Sequence, residues 1–226
     1  MVVDNETWKS AQKQECEHWA KALGKNKVRD TGIRVAQYAS AMILGRLWIL
    51  PWDWADKTVI DIGCGPTGRL SAMEWSHVIG IDPLWGEYEK MPGAIKEPYR
   101  TVYACEAEKH LEELDGTADL VVSLNAIDHC RDPEAVLRNM ATYCKAGGTM
   151  LLSTDVQDGV ITTDPMHPTR ATTRTIDDWM LQCGMDVVAK DHSQAFPDRD
   201  VIGRTGAWMP GWSGGVTAWH WLCRKL

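Results

Sequence analysis

Thr58-Val59-Ile60-Asp61-Ile62 runs directly into Gly63-Cys64-Gly65-Pro66-Thr67-Gly68. The first five residues are β-branched or apolar around a single aspartate, the pattern of a short buried strand. The next six fit Gly-x-Gly-x-x-Gly. Glycines at those places let the chain turn tightly and bring its backbone close to a ligand. A strand that ends in such a loop opens a strand–helix–strand unit. The stretch therefore predicts a parallel sheet with a nucleoside-containing cofactor beyond the end of this strand.

Further strand-like runs follow at His77 to Ile81, Thr101 to Ala104, Asp119 to Leu124 and Thr149 to Ser153. The segments between them are helical in character. In 133–144, Asp132 suits the N-cap, Pro133 suits the first turn, and Val136, Leu137, Met140, Ala141 and Cys144 share one face. Gly147-Gly148 reads as its end. Thr175 with Asp178 resembles a capping box for a helix carrying Ile176, Trp179, Met180 and Cys183. Val187 to Ala189 and Val216 to Cys223 read as two final strands, joined by a long loop rich in Gly, Pro, Arg and Trp. Strands alternating with helices at this spacing mean an α/β fold. Upstream, residues 6–23 read as a helix with Trp8, Ala11, Glu15 and Trp19 on one face, and a second helix spans Arg34 to Leu50. These two form an N-terminal helical cap over 1–56, part of one domain with 57–226, placed either over a site or against the sheet.

The 226 residues are 44% hydrophobic and 24% charged, which excludes collagen-like, disordered and disulfide-scaffold classes. The net charge of -7 disfavours general nucleic-acid binding, which needs a basic surface. The seven cysteines form no Cys-x-x-Cys pair and read as reduced thiols of a cytoplasmic protein. The N-terminus lacks the pattern of a signal peptide. The most apolar stretch, Ala39 to Leu50, is broken by Arg46 and is shorter than the ~20 residues of a membrane-spanning helix. Twelve tryptophans stand against one phenylalanine, and six of them fall in two clusters, near the start (Trp48, Trp52, Trp54) and the end (Trp208, Trp212, Trp219).

Asp82 ends the second strand, where a carboxylate can accept hydrogen bonds from ribose hydroxyls. Three details favour S-adenosylmethionine over a nicotinamide dinucleotide. Asp61 would repel a pyrophosphate but suits an ammonium and a sulfonium. Pro66 removes an N–H that a phosphate would use. Cys105-Glu106-Ala107-Glu108 offers an acidic strand end for an adenine amino group.

Taken together, Val59 to Gly68, Gly80-Ile81-Asp82-Pro83-Leu84, Glu106-Ala107-Glu108, Asn125-Ala126-Ile127-Asp128-His129, Asp132-Pro133 and Lys145-Ala146-Gly147-Gly148 resemble the motifs of class I S-adenosylmethionine-dependent methyltransferases, closest to the type 11 methyltransferase domain. The resemblance covers about 58–190. It departs in Ala146, where Pro is usual, and in Glu106, where Asp is commoner. It implies a Rossmann-like, seven-stranded, mostly parallel sheet with helices on both faces and an antiparallel last strand inserted near one edge. It also implies cofactor contacts: Asp61 near the methionine amine, the backbone of Gly63, Cys64 and Gly65 along the cofactor, Asp82 on the ribose, Pro83 beside the adenine, Glu106 and Ala107 at the adenine edge, and the Asn125 carbonyl beside the methionine group.

Methyl transfer from a sulfonium mainly needs the acceptor in place, and a hydroxyl acceptor also needs a base. His129 is the first candidate base, since it follows the strand that carries Asn125 and a histidine is common there in the family. Asp128 is a candidate to orient it. His167, in Met166-His167-Pro168, is a second candidate on the substrate side. Asp155, Asp158, Asp164 and His167 match no metal-ligand spacing, so a metal-free site is expected. Trp208 and Trp212 present flat faces suited to an acceptor ring or sugar.

The expected activity is O-methylation of a small molecule or a glycan. The glycan reading rests on Trp8-Lys9-Ser10-Ala11-Gln12 and Glu17-His18-Trp19, which resemble the leading helix of bacterial surface-sugar methyltransferases, and on Asp82-Pro83-Leu84 with Tyr88. A nicotinamide-dependent oxidoreductase and a non-catalytic cofactor-binding partner subunit are the alternatives. Asp61, Pro66 and Glu106 argue against the first, and the complete motif set argues against the second.

Overall fold

Strand β1 (Thr58–Ile62) lies inside the sheet, with β2 (His77–Ile81) on one side and β4 (Ala118–Leu124) on the other. The computed structural model describes residues 2–24, 54–70, 77–95, 99–156, 165–194 and 217–226. The helix expected at Arg34 to Leu50, Trp48, Trp52, Asp158, Asp164 and the loop carrying Trp208 and Trp212 lie outside them. With β3 (Thr101–Tyr103), β5 (Cys144–Val156), β6 (Met185–Gln194) and β7 (Thr217–Lys225), the sheet has seven strands in the order β3-β2-β1-β4-β5-β7-β6. All neighbours are parallel except β7, which runs antiparallel to both β5 and β6. The order reverses between β1 and β4, the kind of switch point where ligands of open α/β sheets bind.

Alternation along each strand assigns the two faces. Ile60, Ile62, Val121, Met150, Leu152 and Trp221 face one layer. There they meet Val136, Leu137 and Met140 of helix α3 (Pro133–Tyr143) and Ile176, Trp179 and Met180 of helix α4 (Thr173–Gln182). Val59, Val78, Leu120, Val122 and Leu151 face the other layer with Leu70, Trp54 and Tyr99. Helix α1 (Asn5–Leu23) is capped by Asp4, whose carboxylate accepts from the N–H groups of Glu6 and Thr7. It packs Trp19 and Leu23 on Trp85 and Tyr88 of the one-turn helix α2 (Trp85–Tyr88), at the carboxyl end of the sheet.

Two local expectations are corrected. Gly147-Gly148 does not end α3 as a simple turn. Strand β5 already begins at Cys144, which pairs with Ala118, and pairing resumes at Thr149 with Leu120. The intervening residues form a bulge, with Gly147 at φ +71. The cap of α4 is Thr172, not Thr175. Its hydroxyl accepts from the Thr175 N–H at 3.2 Å, and Asp178 sits a turn further in. The Asp132 cap of α3 is as expected.

Candidate active site

The glycine loop is held by its own backbone. The Gly63 N–H donates to the Ile81 carbonyl at 2.8 Å, with Gly63 at φ +69. A Cβ there would lie 2.2 Å from the Ala126 Cβ, in the turn after β4. This residue must therefore be glycine for two separate reasons, strain and contact. Gly63→Ala is expected to destabilise the fold by about 3 kcal/mol or more, a backbone penalty plus an overpacking penalty. Urea unfolding checks this, and unchanged stability would show that the loop is not fixed in this form.

Asp82 is bound at both carboxylate oxygens. Oδ2 accepts from the Gly65 N–H and Oδ1 from the Leu84 N–H, each at 2.9 Å. One side chain thus ties the glycine loop to the end of β2. Burial pushes its carboxyl up to about 6, with the two N–H donors and Arg69 pulling down and Glu15 pushing up. Asp61 lies behind the loop and not in the cleft lining. Its Oδ2 accepts from the Tyr99 hydroxyl at 2.6 Å, because alternation turns residue 61 to the face where Tyr99 packs. Burial pushes it up to about 7, opposed by the Tyr99 hydrogen bond and the Arg69 charge and reinforced by Asp82.

A carboxyl whose folded value is raised stabilises the fold fully below its unfolded value and loses that contribution as pH rises through the folded value. For Asp61 the window runs from about pH 4 to pH 7. Asp61→Asn keeps an acceptor for Tyr99 and removes the charge. It is expected to stabilise the ligand-free protein at pH 8 by up to roughly 4 kcal/mol, the worth of a gap of about three pH units. The gain should shrink toward pH 5. Thermal unfolding at both pH values checks the sign, and an equal effect at both would contradict it.

A cleft opens over the carboxyl ends of β1, β2 and β4. Its floor includes Gly63, Gly65, Asp82, Pro83, Ala107, Asn125 and His129. Asn125 sits at φ +53, and its N–H donates to the Ser153 carbonyl at 2.7 Å. Cys64 is fully buried, with its sulfur against Gly80, and contributes no lining side chain. Glu106 turns to Arg131 at 3.4 Å, outside the lining residues. The acid from this segment that does line the cleft is Glu108, fixed by the N–H groups of Arg131 at 2.7 Å and Asp132 at 3.1 Å.

Helix α1 is the roof. Trp8, Gln12, Glu15 and Trp19 line the cleft, the spacing of one helical face. Gln12 donates from its amide to the His129 carbonyl at 3.3 Å, and the Val3 N–H donates to the Arg131 carbonyl at 2.8 Å. Trp19 Nε1 donates to Glu15 at 2.7 Å. Sequence reasoning left open whether this helix covers a site or merely packs; it covers the cleft. It missed Gln12, and it missed Arg69, whose guanidinium lines the cleft and donates to the Leu124 carbonyl at the end of β4.

Asp128, His129 and His167 converge beside the cleft, which His129 lines. The two imidazole rings are 4.2 Å apart, and His167 Nε2 lies 3.6 Å from Asp128 Oδ2. Asp128 therefore meets His167 rather than orienting His129, whose Nδ1 lies 3.8 Å from Glu15. The two chain segments are tied by backbone. The Thr169 N–H donates to the Asp128 carbonyl at 3.2 Å, and the Thr169 hydroxyl to the Cys130 carbonyl at 2.5 Å. His167 also lines a second groove, with Ser10 of α1 and Arg170.

Residues 35–203 match the family model of a methyltransferase domain. The ubiquinone biosynthesis O-methyltransferase of Pseudomonas paraeruginosa is 36% identical over 108 residues, covering 44% of this chain and 45% of that enzyme. The chain thus spans less than half the length of the curated relatives it matches. Among solved structures, the 1,6-didemethyltoxoflavin-N1-methyltransferase of Burkholderia thailandensis superposes with a TM-score of 0.59 at 13% identity, covering 100% of this chain and 92% of that one. The [4+2]-cyclase SpnF superposes with a TM-score of 0.60 at 11% identity, covering 84% and 80%. At such identities these two likenesses concern the fold alone.

Proposed function

Because the chain belongs to the family of class I methyltransferase domains, whose cofactor is S-adenosylmethionine, we propose that it transfers a methyl group to a hydroxyl of a small molecule held over His129. The observation that carries the reading is the cleft itself: a glycine loop clamped to Asp82, opening onto His129.

The residues present suit the cofactor. Among the described residues, three carboxylates line the cleft (Glu15, Asp82 and Glu108) against one guanidinium, that of Arg69. That balance disfavours a pyrophosphate and favours a ligand with an ammonium and a sulfonium. Asp82 would take the ribose hydroxyls. Pro83, Leu84 and Ala107 would border the adenine, and Asn125 and Gly63 the methionine portion. Arg69 would take the methionine carboxylate, for which a planar guanidinium is the matching donor. When bound, the cofactor supplies an activated methyl group on a positively charged sulfur. Trp8 and Trp19 keep water from that region. The hydroxyl proton is accepted in a hydrogen bond by the His129 imidazole.

The oxygen reading draws on the similarity to the ubiquinone biosynthesis O-methyltransferase. It is tested with methyl-labelled S-adenosylmethionine and a panel of hydroxylated small molecules. Label on oxygen supports it. Label only on nitrogen, sulfur or carbon contradicts it.

A further inference from the structure

We propose that Asp128, His129 and His167 form a binding site for one divalent transition-metal ion, of the zinc class. Each offers one ligand atom, and the three atoms lie within 4.8 Å of one another. Around a tetrahedral zinc ion with bonds of about 2.0–2.2 Å, neighbouring ligand atoms stand roughly 3.3–3.6 Å apart. The Asp128–His167 edge is already 3.6 Å. The other edges, at most 4.8 Å, need a closure of no more than about 1.5 Å to reach that spacing, within the range of an imidazole rotation.

A second observation points to a ligand. Asp128 is only 5% exposed, and its Oδ2 has no hydrogen-bond donor among the described residues. The same holds for a hydrogen-bond partner of the buried His129 Nδ1. Buried polar atoms left this way carry a desolvation cost that a cation at the cluster would reduce. The surroundings are built to hold the ligands still. Thr154 donates to the other oxygen of Asp128 at 3.2 Å, and Gln12 and Thr169 grip the backbone of the same turn. Such outer contacts orient ligands in metal sites.

Two imidazoles and a carboxylate select zinc, iron(II) or manganese over magnesium or calcium, which prefer oxygen donors. Three protein ligands leave a coordination position open, as in catalytic rather than structural zinc sites. The site also joins two cavities, since His129 lines the cofactor cleft and His167 the groove beside Arg170. What the ion would do there rests on the methyl-transfer reading: it would polarise an acceptor hydroxyl, whose proton would leave to water because a ligated His129 no longer accepts it. The site itself rests on geometry alone.

The test strips the full chain with a chelator and titrates it with cobalt(II), read by visible absorption, and with zinc, read by elemental analysis. One equivalent per chain is expected. His167→Ala should weaken it by more than about 100-fold, beyond the 10–100-fold that outer contacts cost. Asp128→Asn, nearly isosteric, serves as the second variant. Both variants should still bind S-adenosylhomocysteine, which shows that they are folded. No cobalt bound by the stripped wild type, or equal binding by wild type and both variants, overturns the site. Failure of the metal with S-adenosylhomocysteine still bound leaves the methyl-transfer reading standing. Metal bound without S-adenosylhomocysteine sinks that reading and not the site.

Discussion

Asp82→Ala is expected to weaken S-adenosylhomocysteine binding by more than about 100-fold, because hydrogen bonds to a charged group contribute roughly 1.5–3 kcal/mol each. Two effects add. The ribose hydroxyls lose their acceptor, and the N–H groups of Gly65 and Leu84 lose the carboxylate that holds the loop in its ligand-ready form. The fold should survive. The buried carboxyl, raised to about 6 by desolvation, is itself a cost near neutral pH, and its removal offsets part of the loss of two backbone partners. Calorimetry reads the affinity and thermal unfolding the stability. Wild-type affinity in a folded Asp82→Ala protein would remove this residue from the cofactor site.

His129→Ala is the complementary change. Turnover should fall by about 10²–10⁴, the range for loss of a positioned proton acceptor. S-adenosylhomocysteine affinity should hold, because the contact that fastens this turn to α1 uses the His129 carbonyl and survives the substitution. A fall in turnover at saturating acceptor with unchanged cofactor affinity fits the account. Full turnover would show that the imidazole takes no part. Parallel losses of turnover and cofactor affinity would make His129 a structural element of the cleft.

The sheet was legible because its strands announce themselves locally. β1 and β2 fall where alternation and the flanking glycines put them. Asp82 was singled out from the sequence as a ribose acceptor, but its grip on the Gly65 and Leu84 N–H groups was not, because it depends on how the glycine loop folds back on the end of β2. What the sequence did not reveal depends on distant partners. The 3.6-residue period of α1 shows which face is special but not what it faces. Glu15 therefore reads only as part of that face, and Gln12 only within a stretch suggesting a sugar acceptor; the sequence places neither at the cofactor cleft. Arg69 sits in a turn with no periodic pattern at all. The bulge in β5 is set by pairing with β4, which no reading of residues 144–149 alone contains. His129 and His167 are brought together by long-range contacts from Thr169. Spacing rules for metal sites see only neighbours in sequence, so they gave a metal-free reading and could not see that His167 lies beside Asp128.

One titration distinguishes S-adenosylmethionine from a nicotinamide dinucleotide as the cofactor. The purified chain is titrated in a calorimeter with S-adenosylhomocysteine and, in parallel, with NADH. The account predicts saturable micromolar binding of the first and none of the second. Binding of NADH without S-adenosylhomocysteine would contradict it, and the glycine loop would then have to be read as a dinucleotide site despite the carboxylates that line it.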